Sequence, residues 1–227
     1  MLDESGELVM PGDFLPTVEK YNFARRLDRW IIDNVFWWLS SKPEHFKQLE
    51  LCSINLSGNT LTDPEITNFI VNRLNDYQLS PEKICFEITE TAAISNFDIA
   101  LKLISSIKEL GCKFALDDFG SGLSSFAYLK KLPVDYLKID GQFVKNMLEN
   151  NIDHEIVKSI NDIGHAIGMK TIAEYVENKK IFSSLKLLGI DYAQGYGIGK
   201  PCALENFCAE ASKSRNSSLL DIERKIS

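Results

Sequence analysis

The run Phe114-Ala115-Leu116-Asp117-Asp118-Phe119-Gly120-Ser121-Gly122 sets two adjacent carboxylates at the end of an apolar stretch and follows them with a glycine-rich turn. Adjacent side chains on a strand point to opposite faces, so neighbouring aspartates reach one site only where the strand ends and the backbone turns. Gly120 and Gly122 permit that turn. Solvated acids at an ordinary strand exit would look the same in isolation, so the rest of the chain has to decide. Asn55, Glu87, Lys138, Glu174 and Gln194 each stand at or near the end of another apolar run. Glu87, Asp117, Asp118 and Glu174, with Glu177 close by, would repel one another strongly in a partly desolvated mouth unless cations were present. Oxygen donors without histidine or thiolate favour hard ions, Mg²⁺ or Mn²⁺ over Zn²⁺. Two such ions, bridged by Asp117 and held also by Asp118, would suit activation of water against a phosphodiester. Lys138, an amine between Leu137 and Ile139, would orient that water or steady charge on a phosphate oxygen. Asp140 either pairs with Lys138 or meets substrate.

The elements that must position these residues alternate along the chain. Apolar runs of strand length fall at 49–56, 83–88, 113–117, 136–139, 170–173 and 191–193, with helical periodicity at 17–40, 64–75, 97–110, 141–149, 154–167 and 179–188. In the first of these helices Leu27, Trp30, Ile31, Val35 and Trp38 form one stripe, so the tryptophans are expected in the core. Gly111, Gly168 and Gly189 mark helix ends. Such a βα array is either a doubly wound sheet or a closed barrel. An open sheet gathers ligands at one crevice from two or three strands, whereas all six strands here carry a polar residue at their ends. That favours a (β/α)8 TIM-like barrel, whose carboxyl-terminal mouth collects side chains from many strands.

Composition narrows the function classes. The 227 residues, 44% hydrophobic and 10% aromatic, are enough for one substantial core. With 32 acidic against 25 basic residues the formal charge is -7, which argues against a surface that coats DNA or RNA. Cys52, Cys85, Cys112, Cys202 and Cys208 form no C-x-x-C and read as reduced thiols of a cytoplasmic domain. His45, His154 and His165 fall on helical segments and are left to packing or surface. No apolar run approaches the roughly 20 residues that span a bilayer. The start reads as the second half of a hairpin turning at Glu4-Ser5-Gly6, as if most of a first strand preceded Met1. Residues 1–211 are expected to form the barrel domain, truncated at its N-terminus, and 212–227 a polar tail with a short Leu219, Ile222, Ile226 stripe.

The succession Asn55-Leu56-Ser57, Glu87-Ile88-Thr89-Glu90, Asp117-Asp118-Phe119-Gly120-Ser121-Gly122, Leu132 to Asp140, Ala173-Glu174-Tyr175-Val176-Glu177 and Gln194-Gly195-Tyr196 closely resembles the EAL-domain cyclic-di-GMP phosphodiesterases of bacteria. The resemblance runs to about Pro201, and six motifs in order at compatible spacing make it specific. It implies hydrolysis of cyclic di-GMP to linear pGpG, supported by two Mg²⁺ or Mn²⁺ ions and inhibited by Ca²⁺. It also implies a homodimer formed through the segment after the double aspartate. Asn55, Glu87 and Asp117 would hold one ion, and Asp117, Asp118 and Glu174 the second. Lys138 would contact the catalytic water, with Glu174 beside it in the catalytic group. Glu90 would hold the glycine-rich loop and link the metal site to the dimer surface. Pro11, Asp140, Glu177, Gln194 and Tyr196 would line the substrate pocket. Sensory or cyclase domains, and through them a membrane anchor, would lie upstream in the parent protein.

Two departures stand out. Tyr175 occupies a position that is commonly Gly in the family, and the Glu-Ala-Leu strand would lie just before Met1, taking one metal ligand with it. Two other readings compete with the enzyme: a catalytically impaired receptor that binds cyclic di-GMP without cleaving it, and an unrelated barrel aldolase or lyase with no affinity for guanine nucleotides.

Overall fold

The computed structural model describes residues 9, 11–21, 23–121 and 126–204. The hairpin at Glu4-Ser5-Gly6, Gly122, Cys208 and the segment 212–227 lie outside them. Two helices lead in, α1 (Pro11–Lys20) and α2 (Ala24–Ser41), where periodicity alone predicts a single helix over 17–40. The stripe on α2 also differs. Its buried face is Ala24, Asp28, Ile32, Phe36, Trp38 and Leu39, so Trp38 is in the core as expected while Trp30 is 62% exposed. Hydropathy places an aspartate on the wet side of a helix; here Asp28 is buried, and counting it as surface turns the stripe away from its true direction.

The remaining elements alternate: α3 (Pro43–Gln48), β1 (Cys52–Asn55), α4 (Gly58–Leu61), α5 (Ile66–Tyr77), β2 (Ile84–Thr89), α6 (Glu90–Ser95), α7 (Phe97–Glu109), β3 (Lys113–Phe119), α8 (Phe126–Leu129), β4 (Tyr136–Ile139), α9 (Gly141–Val144), α10 (Asn151–Ala166), β5 (Lys170–Ala173), α11 (Lys179–Leu187) and β6 (Tyr192–Ala193). The helix expected over 141–149 is only the short α9. Asn150 then starts a new helix by accepting a hydrogen bond from the Ile152 N–H, satisfying a donor that a helix end leaves open. Thr89, Asp140 and Asn178 cap α6, α9 and α11 in the same way. No described helix is long and apolar enough to cross a membrane.

The six strands pair in parallel in the order of the chain, β1-β2-β3-β4-β5-β6. A doubly wound sheet would reverse order at a switch point; this one never does, which is the winding of a (β/α)8 barrel. The strand period of two then divides the core. One set of side chains, with Ile54, Phe86, Ile88, Phe114, Leu116, Leu137 and Ile139, packs against the helices in the large outer core. The alternate set, Leu51, Cys85, Ala115, Tyr136 and Tyr192 with Ile172, forms a small separate cluster inside the curl of the sheet. Being buried on both faces explains why the strands read as unbroken apolar runs. Truncating Phe86 to alanine would cost about 3–5 kcal/mol.

Candidate active site

Continuing the inner register by two residues toward the strand ends carries each inward position from the apolar cluster to a polar side chain: Cys85 to Glu87, Ala115 to Asp117, Tyr136 to Lys138, Ile172 to Glu174 and Tyr192 to Gln194. Asn55, on β1, is in register with Glu87. The polar layer therefore sits directly above an apolar plug, at the carboxyl ends of the strands.

Lys138 is at its centre. Its Nζ lies 2.8 Å from Glu87 Oε2, 2.9 Å from Asp117 Oδ1 and 2.9 Å from Glu174 Oε1, with side-chain exposures of 3%, 1%, 12% and 13% for Lys138, Glu87, Asp117 and Glu174. Burial alone would push the ammonium toward neutrality, but Glu87, Asp117 and Glu174 outweigh it and hold Lys138 firmly protonated, above the usual lysine range. Burial raises Glu174 to about 7 against the pull of Lys138, with Asp117 adding repulsion. Asp118 is also raised, by burial first and then by Asp117.

The double aspartate reaches one site by a device that the sequence only half announces. β3 runs on through Phe119, but its register with β4 shifts between Leu116 and Phe119, and Asp118 takes the left-handed φ of 54°. The bulge re-aims one side chain, so both acids serve the same face. The ligand oxygens of Asp117, Asp118 and Glu174 lie within 4.8 Å of one another. All donors are oxygen, and Glu87, Asp117, Asp118 and Glu174 outnumber the one ammonium among them, so the residues fit a hard divalent cation.

The loops that carry these residues are tied down from outside. Asp28 on α2 accepts hydrogen bonds at Oδ2 from Ser57 N–H (2.8 Å), Ser57 Oγ–H (2.7 Å) and Thr60 Oγ1–H (2.5 Å), fixing the exit of β1 just past Asn55. Glu90 accepts from the Gly120 N–H at 3.0 Å and from the Tyr128 hydroxyl, so it holds the chain on both sides of 122–125. Neither Asp28 nor Tyr128 stood out in the sequence. An acid interrupting the apolar stripe of α2 was the available signal for Asp28, and Tyr128 offered none.

Of the other predicted residues, Asp140 does not pair with Lys138. Its carboxylate caps α9 by accepting from the Gln142 N–H at 2.7 Å. Glu177 is exposed in the exit of β5, Gln194 is half-buried, Tyr196 is 63% exposed, and Pro11 opens α1. The three histidines stay away from this mouth: His45 packs edge-on against Trp38, His165 pairs with Asp191 and His154 with Glu155. Among the described residues Cys52, Cys85, Cys112 and Cys202 are free thiols.

Residues 1–201 match the EAL domain family model. The cyclic di-GMP phosphodiesterase PdeB of Shewanella oneidensis is 42% identical over 205 residues, 90% of this chain and 24% of that protein. The cyclic di-GMP phosphodiesterase PdeF of Escherichia coli is 36% identical over 217 residues, 96% of this chain and 29% of that protein. The chain thus spans between a fifth and a third of the length of these relatives. Among solved structures, a MucR phosphodiesterase in complex with c-di-GMP superimposes with a TM-score of 0.85 at 29% identity, covering 90% of this chain and 83% of that one. The EAL domain of FimX from Pseudomonas aeruginosa bound to c-di-GMP gives 0.82 at 30% identity, covering 88% and 80%. Matched over nearly its whole described length in sequence and in fold, the chain belongs to the EAL domain family.

Proposed function

We propose that this domain hydrolyses cyclic di-GMP to linear pGpG with the help of two divalent cations, Mg²⁺ or Mn²⁺. The observation that carries the proposal is the convergence of Glu87, Asp117 and Glu174 on Lys138 Nζ beneath the rim of a barrel-type sheet. Relatives named as cyclic di-GMP phosphodiesterases and neighbours solved with that nucleotide support the choice of substrate.

Asn55, Glu87 and Asp117 would hold one cation, and Asp117, Asp118 and Glu174 the other. Bound there, the cations supply a lowered pKa for water and offset the charge of the phosphodiester. Lys138 would exchange one of its three carboxylate contacts for a hydrogen bond from Nζ to the attacking water or to a phosphoryl oxygen. Glu174, whose Oε1 faces Lys138 and whose carboxylate adjoins those of Asp117 and Asp118, would help fix the second cation and the water beside it. Glu90 keeps Gly120 in place and with it the double aspartate. Glu177, Gln194 and Tyr196, with Asp140 and Pro11, would line the nucleotide pocket. A homodimer through the segment after the double aspartate belongs to the same reading.

The test is chromatographic detection of pGpG from cyclic di-GMP with Mn²⁺, for the wild type and for D117N. Hydrolysis by the wild type that D117N loses supports the proposal. Tight binding without cleavage in either protein would make this domain a receptor, and absence of binding in Ca²⁺, where turnover is blocked, would favour an unrelated barrel chemistry.

A further inference from the structure

Tyr175 follows Glu174 at the exit of β5 and adopts φ of 52°. The left-handed region is costly for a side chain with a β-carbon and cheap for glycine, and such strain persists where the surroundings or the function require it. Both neighbours pin the backbone: Glu174 N–H donates to Ile139 O at 3.2 Å and Val176 N–H to Gln194 O at 3.0 Å. The side chain is laid across Gly141, at the adjoining exit of β4. A β-carbon at position 141 would fall 2.5 Å from Tyr175 Cγ and 2.7 Å from Tyr175 Cβ, so the absence of a side chain at Gly141 is what admits Tyr175. Yet Tyr175 remains 61% exposed. A residue whose task was to fill space would be buried, and glycine at 175 would take the same backbone without strain. The strain is spent on holding an aromatic side chain in the open beside Glu174, whose Oε1 is ion-paired with Lys138.

A flat, solvent-facing ring fixed at its base offers a π-face, and nucleobases stack on such faces with little regard to base identity. We propose that Tyr175 is a stacking surface for one purine base of the substrate, contributing affinity at the rim while Glu174 and its neighbours address the phosphodiester. This rests on the cyclic di-GMP reading above. Stacking on Tyr175 adds binding and leaves the acids and Lys138 undisturbed.

The test compares the wild type with Y175F, Y175L and Y175G. The dissociation constant for cyclic di-GMP is measured calorimetrically in Ca²⁺, KM and kcat in Mn²⁺, and Tm without ligand. Y175F should behave as wild type, since it keeps the π-face. Y175L covers Gly141 without a π-face and Y175G removes the side chain, so both should raise Kd and KM about tenfold. Their kcat should be unchanged, and Tm of Y175G should be no lower than that of the wild type because glycine takes the backbone freely. A wild type that binds and cleaves while Y175G and Y175L bind equally well overturns the stacking role alone. A lower Tm in Y175G with unaltered KM makes Tyr175 a cover for Gly141, and also overturns it. A wild type that neither binds nor cleaves removes the function reading itself.

Discussion

Glu87 Oε2 and Lys138 Nζ meet at 2.8 Å, joining β2 to β4 across the inner face of β3, the strand that separates them in the sheet. The pair is nearly dry, and Asp117 on β3 and Glu174 on β5 complete the cluster around the same ammonium. A buried charge of this kind is tolerated only while it is compensated, and deleting one partner typically costs about 3–5 kcal/mol.

Replacing Lys138 by methionine keeps the length of the side chain and removes the cation. Without divalent metal, K138M should therefore be less stable than the wild type by an amount in that range, as read from urea denaturation. Mn²⁺ should restore more stability to K138M than it adds to the wild type, because the acids then have no other counter-charge. Equal metal-induced rises in Tm would mean that the ammonium and the cations do not share the same carboxylates. Hydrolysis by K138M should fall even at saturating Mn²⁺.

Asp28 tests whether the outer support of the mouth matters as much as its lining. One carboxylate oxygen accepts three hydrogen bonds, from Ser57 twice and Thr60 once, in a residue 5% exposed. D28A strands those donors, with an expected loss of about 2–3 kcal/mol. Since Ser57 follows Asn55 by two residues, the apparent affinity for Mn²⁺ should weaken as well. A variant that loses stability but binds metal as before would confine Asp28 to packing.

Much of this site was legible because barrels put chemistry at strand ends. Apolar runs that each close on a polar residue locate Glu87, Asp117, Lys138 and Glu174, and the strands at 136–139 and 170–173 match the structure residue for residue. What stayed hidden depended on contacts distant in sequence. Asp28 belongs to the core only because Ser57 and Thr60 meet it there, and a helix read alone assigns it to solvent, which is how Trp30 was expected inside. The bulge at Asp118 was hidden for a different reason. The Asp-Asp-Phe-Gly run announces a turn after the acids, whereas the shift in register lies within the strand.

Asp191 gives a pH signature remote from the mouth. Burial would raise its carboxyl, but hydrogen bonds from Thr171 N–H at 2.8 Å and from His165 outweigh it and hold Asp191 below its ordinary value. A folded-state pKa below the unfolded one means stability that is present above the unfolded carboxylate pKa and lost as pH falls through the folded one. D191N should therefore lower Tm near neutral pH, and the gap between wild type and variant should close as acid protonates Asp191. Parallel Tm curves across the acid limb would show that Asp191 contributes nothing through its charge.

Gly141 and Tyr175 make a pair whose coupling can be measured directly. Alanine at 141 would bring a β-carbon to 2.5 Å and 2.7 Å from Tyr175 Cγ and Cβ; Cγ can turn about χ1, but Cβ cannot move away without moving the backbone. That backbone is fixed by the hydrogen bonds of Glu174 and Val176 to its neighbours. G141A alone should thus be destabilised by about 1–3 kcal/mol, as overpacking usually is. With Y175G the clash has no partner, so the double variant G141A/Y175G should be more stable than G141A, with an interaction energy of about 1–2 kcal/mol in a double-mutant cycle of urea unfolding. Additive effects would show that alanine at 141 is accommodated by α9 and that Tyr175 is free to move. In that case the ring is not held at its base, and stacking on it would carry an ordering cost.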